Sequence, residues 1–139
     1  MDKMNWGRVF LGGLLWAAVY NFLGGATFYL FLKSDFTAAM EALGRPFQES
    51  EFLVVLLPVT LLVGIFTLWL YAAIRPRYGP GPKTAVYAGL AVWLIGNLLP
   101  TILWAQVLRL PTRLVIGSVA AALVSFVVAA VVGAWPYKE

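Results

Sequence analysis

Apolar positions run in four long blocks, at about residues 7–32, 52–74, 84–108 and 114–135, and polar or charged positions collect in the gaps between them. No charged side chain falls in the interior of any block. A helix rises ~1.5 Å per residue and a hydrocarbon core is ~30 Å thick, so each block predicts one membrane-spanning helix. The blocks are apolar all round, as lipid-exposed helices are. The first is about twice the length of a signal-peptide core and no small-x-small cleavage pattern closes it, so it reads as an anchor. The expected fold is an all-α integral membrane four-helix bundle, one domain over residues 1–139 with a short amphipathic interfacial helix in the first loop.

That interfacial helix is predicted at about 35–43, where Phe36, Ala39, Met40 and Leu43 share one helical face. Ser34 or Asp35 can cap its start, Gly44 can take the left-handed position past its end, and Pro46 bars continuation. It reads first as a connector lying in the interface, and second as a lid over an outer opening. The second loop, from Arg75 to Thr84, holds three prolines and two glycines and predicts a stiff basic turn. Its Arg75, Arg77 and Lys83 are candidate contacts to anionic lipid headgroups. The third loop, around Leu110-Pro111-Thr112, suffices only for an antiparallel hairpin.

Lys and Arg set orientation, because positively charged loops stay cytoplasmic. Lys3, Arg8, Arg75, Arg77, Lys83 and Lys138 fall on the side of the termini; Lys33, Arg45, Arg109 and Arg113 fall on the other. Six against four predicts both termini in the cytoplasm. Asp35, Glu41, Glu49 and Glu51 also lie on the external side and neutralise it.

Within the spans, small residues mark faces where helices can approach closely. The first span offers Gly13, Ala17, Asn21 and Gly24; the second Thr60, Gly64, Thr67 and Tyr71; the third Gly89, Gly96, Asn97 and Pro100. The fourth offers Ser118, Ala121, Ala122, Ser125 and Ala129, with a second face at Gly117 and Gly133 free for a partner helix. Asn21 lies 13 residues in from Arg8, Asn97 lies 13 from Thr84, and Thr60 lies 14 from Ile74. At ~1.5 Å per residue these three candidate ligand-binding residues share a layer about 20 Å from the cytoplasmic boundary. Polar groups at that depth need partners, either in one another as structural cross-links or in a ligand. The segments Gly13–Leu23 and Gly89–Leu99 also align, with Gly, Leu, Asn and Leu in common, as parallel halves of a duplicated hairpin would. Trp16 and Trp93 lie deep and read as packing or lipid-facing, while the other aromatics fall near the two interfaces as a belt.

Composition narrows the chemistry. The 139 residues are 62% hydrophobic and 12% charged, against roughly 25% charged in a soluble domain. The net charge of +4 sits in loops with no basic stripe, so no nucleic-acid partner is expected. Cysteine and histidine are absent, and Met1, Met4 and Met40 lie outside the spans, so no metal site or haem is expected. An ion-coupled carrier lacks an intramembrane carboxylate, and Ser118 and Ser125 lack a basic partner for nucleophilic catalysis.

The segments Asn5-Trp6-Gly7-Arg8-Val9, Tyr71 to Ala85 and Tyr137-Lys138-Glu139 resemble a group of small four-span bacterial inner-membrane proteins of unknown function. The resemblance implies a bacterial inner membrane and the same fold, and assigns no activity or cofactor to any residue. The first expectation is therefore a nonenzymatic assembly or accessory subunit, a homo-oligomer or part of a larger membrane complex surrounded by membrane lipids. The alternative is a passive pore or binder for a small neutral or amphipathic ligand such as a lipid, quinone or pigment.

Overall fold

The computed structural model describes residues 3–138. Met1, Asp2 and Glu139, the end of the Tyr137-Lys138-Glu139 segment, lie outside the described residues. The elements are α1 (Trp6–Thr27), a π-helical turn (Phe28–Leu32), α2 (Lys33–Ala42), α3 (Glu49–Tyr78), α4 (Pro82–Trp93), a second π turn (Leu94–Leu98), α5 (Leu99–Leu108) and α6 (Thr112–Ala134). These join into four continuous helical runs, each long and apolar enough to cross a membrane. The protein is an all-α, multi-pass membrane four-helix bundle.

The first span packs on α3 and α6, and so does α4; α1 and α4 stand at opposite corners. Both termini lie at one end. There the Asn5 backbone N–H donates to the Tyr137 hydroxyl (3.2 Å), its side-chain amide donates to the Lys138 carbonyl (3.1 Å), and Arg8 donates to the Pro136 carbonyl (3.2 Å). This end is called the terminal end below, and the other the far end.

The two middle helices exceed their sequence-predicted bounds. The α3 helix continues past Ile74 through Pro76 to Tyr78, so Arg75 and Arg77 belong to a helix rather than to a turn. A proline in the last turn leaves most of the hydrogen bonding intact. What ends the helix is Gly79, whose φ of 87° only glycine adopts readily, followed by Gly81 at 121°. Pro82 then opens α4, where its fixed φ suits the first turn.

The predicted interfacial helix is present as α2 but does not start at a Ser34 or Asp35 cap. It runs on from α1 through the first π turn, in which the Lys33 N–H donates to the Phe28 carbonyl. Because the backbone ladder is unbroken, no orphan N–H needs a cap. Its end follows expectation: Gly44 has φ 71°, and the N–H groups of Gly44 and Arg45 bond to the carbonyls of Glu41 (2.9 Å) and Met40 (3.0 Å) in a Schellman motif.

Close packing is concentrated in the terminal half. Gly12 and Gly13 seat α1 against two helices at once. A Cβ on Gly12 would lie 2.5 Å from the Gly133 carbonyl oxygen of α6, and one on Gly13 would lie 2.7 Å from the Ile65 backbone of α3. Around this seam Val9, Trp16, Leu68, Ala85, Ala88 and Ala129 are fully buried. Thr67, Tyr71, Ala122 and Ser125 are buried as their small-residue faces predict. Gly133 and its neighbours Ala129, Ala130 and Ala134 are also packed inside, so the second face of the fourth span is not free at Gly133 for a partner helix. By contrast α2, α5 and both π turns hold no buried residue. Nor do the predicted packing positions Gly24 and Gly96 meet another helix: Gly96 has open space around it, and Gly24 faces only the Tyr20 ring of its own helix.

A candidate ligand-binding cavity in the far half

Where close packing stops, the helices separate around a cavity of about 440 Å³, within the range of small-molecule sites. An aromatic plug underlies it. Trp16 stacks on Tyr20 at 5.0 Å, and Phe126 meets both rings edge-on at 5.2 Å. Tyr20, Ala122 and Ser125 present the upper surface of this plug to the cavity. At the far end Phe28, Phe36, Phe47 and Phe52 form a chain of ring contacts at 5.1–5.9 Å, and all four line the cavity. Phe36 comes from α2 and Phe47 from the segment after it, the geometry of the lid alternative. Two ion pairs brace this roof, Lys33 with Glu49 at 3.9 Å and Arg113 with Asp35 at 3.8 Å. Both are solvent-exposed, so each contributes at most ~1 kcal/mol.

Three spans carry a helix irregularity near this level. Pro100 has no N–H for the Gly96 carbonyl and crowds it; the third span rewinds there, with the Leu99 N–H reaching back to Leu94 across five residues. The first span has its own π turn at Phe28–Leu32, and α3 carries Pro58 in its interior. π turns recur at functional sites because they re-aim side chains without breaking the helix. On one side the enclosure is incomplete: α3 packs along α4 in the terminal half but scarcely touches α5 in the far half. A gap therefore lies between them on that side of the bundle.

Of the three residues predicted to form a polar layer, the structure joins two directly. The Asn21 amide nitrogen donates to the Thr60 hydroxyl (2.9 Å) and to the Ala17 carbonyl (2.8 Å), and Thr60 donates onward to the Leu57 carbonyl (3.0 Å). A backbone carbonyl can only accept, so the nitrogen of Asn21 must point at Ala17 and the amide orientation is fixed. Its oxygen is left buried and without a partner. Thr60 is itself buried and lies behind Asn21 rather than on the cavity wall. Asn97 lines the same cavity from the third span, diagonally opposite α1. It makes no side-chain hydrogen bond, and its carbonyl oxygen too is buried and unpartnered. The Ser118 and Ser125 hydroxyls, also on the wall, donate to carbonyls of their own helix. Among the described residues, the one carboxylate on the wall is Glu49, at the far end and paired with Lys33.

The two aligned segments pack alike at their glycines. Gly13 packs on the next span, α3, and its counterpart Gly89 packs on the next span, α6, with a Cβ 3.0 Å from Ala130. Asn21 and Asn97 then flank one cavity from opposite corners. Trp16 is fully buried, and the Trp93 indole donates to the Val119 carbonyl (3.2 Å), so both tryptophans serve packing.

The candidate headgroup residues are at the other end of the molecule. The Arg75 guanidinium lies over the Tyr137 ring at 5.3 Å and Lys83 near the Tyr87 ring at 5.9 Å, with Arg77 exposed between them. Sequence reasoning missed Gly12, Tyr20 and Phe47; it marked the Gly24-Gly25 pair as a place for a kink, and Phe28, Phe36 and Phe52 as outer-interface or surface-helix residues, without joining them around a cavity. Gly25 lines the cavity with nothing within 4 Å of where its Cβ would be.

No known family, characterised protein or solved structure matches this chain.

Proposed function

We propose that this is a nonenzymatic membrane protein that takes one neutral, amphipathic molecule of the lipid phase, such as a lipid, quinone or pigment, into its far-half cavity. The observation that carries the reading is a predominantly apolar cavity lined by Asn21 and Asn97, two residues whose amide oxygens are buried and without partners. Such atoms in hydrocarbon are destabilising until something bonds to them. The aromatic plug and the glycine seam close the terminal half, which supports a blind pocket over a through-going pore. An assembly or accessory role drew on a free small-residue face of the fourth span, and the packing of Gly133 inside the bundle weakens that motive. The charge tally and the resemblance support a bacterial inner membrane with cytoplasmic termini, and the cavity then serves the outer leaflet.

The test compares the protein with Gly25→Leu, which fills the cavity from a position that meets no other atom. After purification in lipid nanodiscs and solvent extraction, mass spectrometry of the wild type should show one compound enriched to about one per chain over bulk lipid, and Gly25→Leu should lose it. Identical extracts from the two proteins would overturn the proposal.

A further inference from the structure

Resting on the reading of the cavity as a binding site, the donor and acceptor inventory of its wall says what the ligand's polar end must be. Both N–H groups of Asn21 are engaged, one by Ala17 and one by Thr60, so this residue has only its carbonyl oxygen to offer. A ketone, ester or ether oxygen cannot bond to it, because two acceptors have no proton to share. Asn97, with no side-chain hydrogen bond to hold it, is free to turn and to present either end of its amide. Among the described residues, the wall carries no unpaired charge to receive an ionic headgroup.

We infer that the cavity selects a neutral, hydroxyl-bearing amphiphile, an alcohol or phenol on an apolar body, seated between Asn21 and Asn97. A hydroxyl group can meet both residues at once: its proton goes to the Asn21 carbonyl, and its oxygen accepts from the Asn97 amide. The apolar remainder lies among the leucines of α3 and under the phenylalanine roof. Neither amide oxygen has surface open to a water-sized probe, so the ligand is seated only as Asn97 turns toward it and the side chains around both oxygens part. Ligands that carry only carbonyl or ether oxygens engage Asn97 and leave Asn21 unsatisfied.

The experiment uses the full chain in phosphatidylcholine nanodiscs with two radiolabelled probes, 4-nonylphenol and its methyl ether 4-nonylanisole. They differ in one O–H donor. Binding is counted above that of protein-free discs, with free probe expressed as mole fraction in the lipid so that partitioning cancels. The phenol should bind at about one per chain and about ten- to a hundredfold more tightly than the ether, the effect of leaving one buried neutral group unpaired. In Asn97→Leu, which removes no existing hydrogen bond, both probes lose the amide that donates to their oxygen and should weaken by a similar factor of about ten, with the phenol still ahead of the ether. Equal binding of phenol and ether, or an Asn97→Leu variant that binds the phenol as tightly as the wild type does, overturns the inference while leaving the cavity a binding site. No binding of either probe above empty discs overturns the binding reading itself. Should Asn97→Leu fail to fold, the wild-type ratio alone decides.

Discussion

Replacing Gly64 by alanine tests the glycine seam that holds the terminal half shut. An ideal Cβ on Gly64 would overlap the Gly13 carbonyl oxygen and lie 3.1 Å from the Trp16 ring. An ordinary carbon–oxygen contact is ~3.3–3.6 Å, so α1 and α3 must separate by about 1 Å. A gap of that size forfeits roughly a quarter to a half of each dispersion contact along the seam. Overpacking of this kind typically costs about 1–3 kcal/mol. Against it stands the better helix propensity of alanine, worth at most ~1 kcal/mol. The expected net loss is about 1–2 kcal/mol, read by reversible denaturant unfolding in mixed micelles. Gly25→Ala is the matched control. Its Cβ meets nothing within 4 Å, so only the propensity gain applies and stability should hold or rise by up to ~1 kcal/mol. The propensity gain is common to both, so the two variants should differ by the overpacking cost, about 1–3 kcal/mol. A Gly64→Ala protein as stable as Gly25→Ala would refute the seam.

Other consequences follow from the same geometry. A double-mutant cycle with Asn21→Leu and Thr60→Val should return a coupling of about 0.6 and at most ~1.7 kcal/mol, the range of interhelical hydrogen bonds in bilayers; zero coupling would mean that the 2.9 Å bond is not made. Asp35→Asn breaks an exposed ion pair to Arg113 and should change stability by less than ~1 kcal/mol, with raised salt mimicking the effect on the parent protein. Tyr137→Phe removes the hydroxyl that accepts from the Asn5 N–H while keeping the ring beneath Arg75. Hydrogen exchange should then quicken at Asn5 and in the first turn of α1, with the amides of α3 unchanged.

The four spans were legible because an uninterrupted apolar run has one interpretation in a bilayer, and the pairing of Asn21 with Thr60 followed from depth alone. The small-residue faces were legible only halfway. Gly13, Gly64 and Gly89 pack as expected because the terminal halves are regular helices, on which spacing predicts direction. Gly24 and Gly96 do not pack, because a π turn follows the one and contains the other, and the helices have already parted there. Of the two π turns, the one at Leu94–Leu98 has a visible local cause in Pro100. The one at Phe28–Leu32 has no signal in its residues, and it is the turn that fuses the predicted surface helix to the first span. Phe47 was illegible for another reason. It sits in a connection without periodicity, and only the fold brings it to Phe36.

The central claim is that the far half holds a ligand cavity rather than a packed core, and a density map of the protein in native-lipid nanodiscs tests it most directly. The account predicts discrete nonprotein density bounded by Asn21, Asn97 and the Phe36–Phe47 roof, with α3 and α5 apart. A far half in which α5 closes against α3 and the two asparagines bond to each other across a filled interior would contradict it.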